Sequence, residues 1–370
     1  MKTLLLVTGG RGGSDFFQGL LDGHTQILSF PYSLRVDNNL FQMLDMENYS
    51  KLAKKFIYLY PVYFNSKNGN KLERYHRLGK NKNQFYQVNK KKFIKNFIIL
   101  TKSKKLNKFE RLKFLHLAYS KTKGENVKKK KILFVHTHIV RWTKKFINNI
   151  NPKNTEIIHI IRHPLASLAS PIKNWLKYKN GKYFFPKDLY FQIDLVFKGI
   201  FDLMNLGKVK IIQYEHLHWD HSNTMRDFCK IYKIRYEKCL NNSTKHGLVW
   251  WGDSVSGKWL SGINKNFKIK IDTSYFFKKD LYFFQSIHKK IIKKYNYKFI
   301  FKTQKVFLKL LPLKCELLVW KNSFKYLLIS FRWKHFLSIP YFYFLRILMI
   351  NFFMLPKKKL PYSIGSKNNY

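Results

Sequence analysis

Short apolar runs bounded by turn residues alternate along this chain with longer stretches of helical apolar spacing. Lys2–Thr8 reads as a short apolar strand of the kind buried in a parallel sheet. A glycine turn follows, and Phe16, Phe17, Leu20 and Leu21 then mark one face of a helix expected over about 15–22. Gly23 stands where a left-handed cap would end that helix. Strand, glycine turn and helix within 23 residues open a nucleotide-binding α/β domain. Residues 45–130 are lysine-rich, and spacings such as Phe93, Phe97 and Leu100 predict helices packed beside the sheet. Residues 131–137, 156–161 and 209–214 read as further strands separated by helical stretches, so a parallel sheet is the economical arrangement. No internal repeat is visible.

The last 70 residues change character, which suggests a main domain over 1–300 and a hydrophobic, basic extension over 301–370. Residues 336–355 are almost wholly apolar, broken by Pro340 and Arg346 and followed by Lys357, Lys358 and Lys359. Their length approaches that of a membrane span, but an Arg at the centre and a Pro in the helix both oppose spanning. Three placements stay open: a span, an interfacial helix on an anionic membrane, or burial against the main domain.

Composition narrows the class more than the partner. A chain of 370 residues with 45% hydrophobic residues buries a sizeable core and is not a disordered one. The formal net charge of +51 fits an anionic partner. It fits equally a global usage bias, because Lys, Asn, Ile, Phe and Tyr are abundant together along the whole length. Cys229, Cys239 and Cys315 are widely spaced without CxxC pairing, which suits a reducing compartment and neither disulfides nor zinc. The apolar run after Met1 is too short for a secretory segment and lacks a cleavage signal.

The chemistry concentrates in three places. In Thr8-Gly9-Gly10-Arg11-Gly12-Gly13-Ser14-Asp15, glycines let backbone N–H groups approach an anion where a helix begins, and Arg11 adds a fork of donors. The loop lacks the Gly-Lys-Ser/Thr of an NTPase loop, and Asp15 replaces the last glycine of a dinucleotide fingerprint counted from Gly10. Arg162-His163-Pro164 closes one predicted strand and opens a helix that carries Ser170, so both side chains can converge on one anion. His136-Thr137-His138 ends another strand at the same edge, and a histidine near neutral pKa suits proton abstraction.

These motifs resemble the sulfotransferase family that uses 3′-phosphoadenosine-5′-phosphosulfate (PAPS). Arg11, Gly12, Gly13, Ser14, Asp15 and Phe16 occupy the places of its 5′-phosphosulfate loop. Asp15 departs from the usual Ser/Thr there and is expected to cap the helix instead. Arg162 and Ser170 match the spacing of the pair that holds the 3′-phosphate. His138 matches the general base of the cytosolic branch, with Glu215 as the alternative. His136 stands where that branch has Lys, so Arg141 or Arg11 is expected to supply the charge. Trp250, Trp251, Lys258 and Trp259 loosely match a loop that closes the nucleotide site.

The resemblance implies a three-layer α/β fold with a central parallel sheet, similar to P-loop NTPases. It also implies sulfuryl transfer from PAPS to a hydroxyl or amine, without a metal or nucleic acid. A glycan, lipid or small alcohol is the expected acceptor. Because PAPS is made in the cytosol, a cytoplasmic location is expected, with peripheral contact to an anionic membrane. Two other classes stay open: a P-loop-type kinase of a small acceptor, and a non-enzymatic basic protein bound to membrane or nucleic acid.

Overall fold

The structure is a computed structural model that describes residues 1–8, 12–181, 184–254, 258–301, 310–330, 333–352 and 359–365. Side-chain alternation sets the two faces of its sheet. In β1 (Lys2–Thr8), Leu5 and Val7 join one core while Leu4 and Leu6 join the other. The same split separates Leu133 and Val135 from Ile132 and Phe134 in a neighbouring strand.

After β1 the chain forms α1 (Ser14–Leu20) and β2 (Ile27–Ser29), then a helical block of α2 (Asn38–Asp45), α3 (Tyr49–Leu59), α4 (Pro61–Phe64), α5 (Lys90–Thr101) and α6 (Lys108–Thr122). Helices α2, α3, α5 and α6 start at Asp37, Asn48, Asn89 and Asn107, whose side chains each accept a first-turn N–H. Phe93 and Phe97 are buried in this block, as their spacing suggests. Next come β3 (Ile132–His138), α7 (Val140–Ile150), β4 (Thr155–Ile161), α8 (Pro164–Lys177), α9 (Pro186–Met204) and β5 (Val209–Gln213). They are followed by α10 (His216–Trp219), α11 (His221–Tyr232), the short hairpin β6 (Thr244–Lys245) and β7 (Leu248–Val249), α12 (Lys278–Ile287) and α13 (Lys289–Lys294). Two long helices, α14 (Lys314–Ser330) and α15 (Trp333–Phe352), precede β8 (Ser363–Ile364).

The six-stranded sheet has the order β2-β3-β1-β4-β5-β8, and every pairing in it is parallel. The expected α/β class with a central parallel sheet and flanking helices is therefore the fold observed. From β1 the chain first moves to β2 and β3, then crosses to β4 on the other side. Ligand crevices form at such a reversal, at the carboxyl ends of the strands. The ends of β1, β3, β4 and β5 carry all three chemical motifs.

The C-terminal helices are not detached from the rest. Leu313, Val319, Met349 and Ile350 share a core with Leu165, Ile172, Ile193 and Phe197 of α8 and α9, and β8 pairs with β5. Arg346 is buried and binds Glu316 through both carboxylate oxygens, Nε to Oε1 at 3.0 Å and Nη2 to Oε2 at 2.9 Å. The Arg that argued against a span is thus turned inward to a carboxylate, and among the described residues no helix is long and apolar enough to cross a membrane.

Candidate functional site

Gly12 and Gly13 are held where no larger residue fits. A Cβ on Gly12 would lie 2.3 Å from Thr8 Oγ1 and 3.0 Å from the Ile160 carbonyl, and one on Gly13 would lie 2.2 Å from the Tyr214 ring. Gly13 also has φ +89°, a left-handed conformation that favours glycine. The loop is thereby pressed between the ends of β1, β4 and β5. Gly9, Gly10 and Arg11 lie outside the described residues. Gly13 occupies the helix N-cap position and makes no side-chain cap bond, while Asp15 sits inside the first turn. The expectation that Asp15 caps the helix is corrected, because the left-handed Gly13 takes the N-cap position two residues before Asp15. Asp15 Oδ1 lies 3.8 Å from His136 Nδ1 instead.

The two histidines of β3 project on one face, two residues apart. The β1–β3 register skips a residue between Leu6 and Val7, so Val7 pairs with His138. His138 has φ +67°, and the Ile139 N–H donates to the Thr137 carbonyl at 2.8 Å, closing a γ-turn around it. A non-glycine residue in this region stores strain, a feature that clusters at functional sites. Burial lowers the pKa of His136 to about 3, against the opposing pull of Asp15.

A chain of hydrogen bonds sets the tautomers. Gln18 Nε2 donates to the Phe30 carbonyl at 2.8 Å, which turns Gln18 Oε1 toward His136 Nδ1 at 2.9 Å. His136 Nδ1 must then carry the proton, leaving its Nε2 as acceptor. His138 Nδ1 lies 3.3 Å from that nitrogen and donates to it, so the lone pair of a neutral His138 is on Nε2.

Sequence reasoning missed Lys245. It is buried, reaches the site from β6 and donates to the Pro31 carbonyl at 2.8 Å and to Gln18 Oε1 at 3.4 Å. Desolvation lowers its pKa, opposed by Asp15, Asp22 and Glu73. Arg141, proposed as a charge source, is instead exposed on α7.

Across the loop, the Arg162 guanidinium lies over the rings of Tyr214 (5.5 Å) and Phe267 (5.8 Å). His218, also absent from the sequence reading, stacks between Phe16 (4.9 Å) and Phe267 (4.8 Å). Its Nδ1 accepts from the Asn264 N–H at 3.1 Å, which makes Nε2 a donor. Among the described residues, neither Arg162 Nε nor His218 Nε2 has a hydrogen-bond partner, although both are buried. Two orphaned donors on side chains gathered around Phe267 fit an anionic ligand.

Glu215, the alternative base, is fully buried. Its Oε1 accepts the His163 N–H at 2.9 Å and its Oε2 the Tyr297 hydroxyl at 3.0 Å, and burial raises its pKa. Ser170 is half-buried two turns along α8 from Arg162. Trp250 and Trp251 donate to the Glu73 and Gly79 carbonyls, and Arg74 stacks on Trp259 at 3.8 Å while bonding the Lys258 carbonyl. That loop is therefore pinned onto residues 72–82, and Ser256 and Gly257 lie outside the described residues. No group of three or more His, Cys, Asp or Glu among the described residues is arranged to hold a metal ion.

No family model and no curated protein matches the chain. Among solved structures, it is similar to the sulfotransferase domain from the Synechococcus PCC 7002 olefin synthase, with 14% identity and a TM-score of 0.36 over 66% of this chain and 77% of that one. It is also similar to the sulfotransferase domain from the curacin biosynthetic pathway, with 12% identity and a TM-score of 0.35 over 87% of this chain and 98% of that one. What the site can do follows from this chain's own side chains.

Proposed function

We propose that this protein is a sulfotransferase that uses PAPS to sulfate a hydroxyl or amine of a glycan, lipid or small alcohol. The observation that carries the reading is the ordered chain from Phe30 through Gln18 and His136. It leaves a basic nitrogen on His138 at the same sheet edge as the glycine loop and Arg162. When bound, PAPS supplies an activated sulfuryl group and a phosphate leaving group.

Gly12, Gly13 and Ser14, with Arg11, bind the 5′ end, and Arg162, His218 and Ser170 bind the 3′-phosphate. The orphaned donors on Arg162 and His218 are the features that fit this anion. His138 Nε2 takes the acceptor proton, and His136 keeps its ring oriented. Lys245 brings positive charge beside the loop, where the resemblance expects a lysine and β3 has His136. Glu215 braces the strand ends rather than serving as base, since both of its oxygens are engaged. The donor's origin places the site on the cytosolic side.

The test is transfer from labelled PAPS to fractionated host glycans and lipids, read by mass spectrometry alongside calorimetry with adenosine 3′,5′-bisphosphate. Arg162→Ala should weaken bisphosphate binding about 10- to 100-fold, as loss of charge-assisted hydrogen bonds does. His138→Asn should leave that affinity intact while lowering turnover about 10²- to 10⁴-fold. Unchanged bisphosphate affinity in Arg162→Ala would sink the reading.

A further inference from the structure

We propose that the outer face of the α14–α15 hairpin docks on an anionic lipid surface. The two helices run antiparallel and in step. Glu316 meets Arg346, the Trp320 and Tyr343 rings lie 5.3 Å apart, and those of Phe324 and Phe336 lie 6.1 Å apart. The inward faces supply the core described above. The outward faces leave large apolar side chains in solvent in two parallel rows, with Leu328 65%, Leu337 66% and Phe344 58% exposed and Phe324, Trp333 and Tyr341 beside them. A groove of about 620 Å³ opens between the rows, lined by Trp320, Phe324, Phe336 and Pro340. Contiguous apolar surface of this kind marks an interaction site.

Charge selects the occupant. Glu316 is the one carboxylate in residues 310–352, and it is buried against Arg346. Lys321, Lys325 and Lys334 are exposed around the apolar rows, so the charges on this face are basic. A second copy of the chain would bring these lysines against their equivalents with no acid to answer them. Anionic headgroups answer them, while the apolar rows enter the acyl boundary as an interfacial hairpin does. The proposal concerns where the protein sits and does not depend on the reaction proposed above.

The experiment is flotation of the full chain with phosphatidylcholine vesicles, with and without phosphatidylglycerol, at low and high salt. Wild type should bind the anionic vesicles. The combined variant Leu328→Ser, Leu337→Ser and Phe344→Ser keeps every charge, so attraction from the basic surface alone would leave its binding unchanged. It should lose at least about tenfold in affinity, as removal of several buried methylenes from a membrane anchor does. The variant Lys321→Gln, Lys325→Gln and Lys334→Gln should bind the anionic vesicles more weakly and with a shallower salt response than wild type. Thermal melts confirm that both variants fold. Wild-type binding by the serine variant overturns the proposal. So does a wild type that ignores vesicles, including one that dimerises in sedimentation through the same three side chains.

Discussion

His138 Nδ1 lies 3.3 Å from His136 Nε2, and the direction of that hydrogen bond is set by Phe30, whose carbonyl fixes the Gln18 amide at the far end of the chain. Gln18 is thus a positioning residue, acting on the reactive nitrogen through one intervening imidazole. Gln18→Leu removes the acceptor that holds the proton on His136 Nδ1. Turnover should fall about tenfold, on the order of one hydrogen bond, with little change in KM for the donor. The ring ¹⁵N shifts should report Nδ1–H tautomers on both histidines in wild type and a mixture in the variant. Wild-type shifts in Gln18→Leu would show that the amide does not set the tautomers.

Lys245 is buried, with Asp15, Asp22 and Glu73 opposing the fall in its pKa. A buried lysine beside an anion loop should act on charge that develops during transfer. Lys245→Met keeps most of the side-chain volume and removes the amine. It should lower turnover about 10²- to 10³-fold, the range seen when one preorganised stabilising group is lost, and weaken adenosine 3′,5′-bisphosphate only several-fold. Equal losses in turnover and bisphosphate affinity would assign Lys245 to ground-state binding instead.

The strands around the site were legible because each is a short apolar run, with β1, β4 and β5 closed by a glycine or a charged residue and β3 by its histidines. The bounds 131–137, 156–161 and 209–214 differ from β3, β4 and β5 by a single residue at one or both ends. Ile27–Ser29 and Ser363–Ile364 are too short to display a period, and their partners, not their residues, make them strands. Lys245 was hidden for a different reason. In a chain with 71 Lys and Arg, another lysine carries no signal, and only folding brings it within reach of Gln18. Phe267 and His218 likewise meet Arg162 and Phe16 across long sequence separations. Asp15 looked like a helix cap because capping is read from side-chain type, whereas Gly13 takes that position through its backbone.

Acid should destabilise the fold through its histidines. His116 and His136 are fully buried with pKa values near 3, and His159 has one near 4, all lowered first by desolvation. An unfolded imidazole protonates near 6.5. Between that value and the folded ones, the unfolded chain binds more protons, so stability is full above about 6.5 and falls as pH drops toward 3 to 4. Each such group contributes up to about 1.4 kcal/mol per pH unit in that window. Among the described residues His116 bonds only the Leu112 carbonyl of its own helix, and its ring centroid lies 3.7 Å from that of Phe30. His116→Leu should therefore flatten the dependence of the urea midpoint on pH below 6.5. A slope equal to wild type would remove His116 from the set.

The buried pair in the C-terminal hairpin should behave as a unit. Arg346→Leu leaves the Glu316 carboxylate without its partner in a dry core and should cost about 3–5 kcal/mol. Glu316 also accepts the Leu313 N–H at 2.8 Å at the start of α14, so its own removal adds a lost cap worth about 1 kcal/mol. The double variant Glu316→Leu/Arg346→Leu removes both charges and should recover most of the loss, leaving roughly the cap term. Urea unfolding of the two single variants and the double, read as a mutant cycle, measures the coupling. Additive effects would mean that the two charges are solvated separately, and that α15 is held on α14 by its apolar contacts alone.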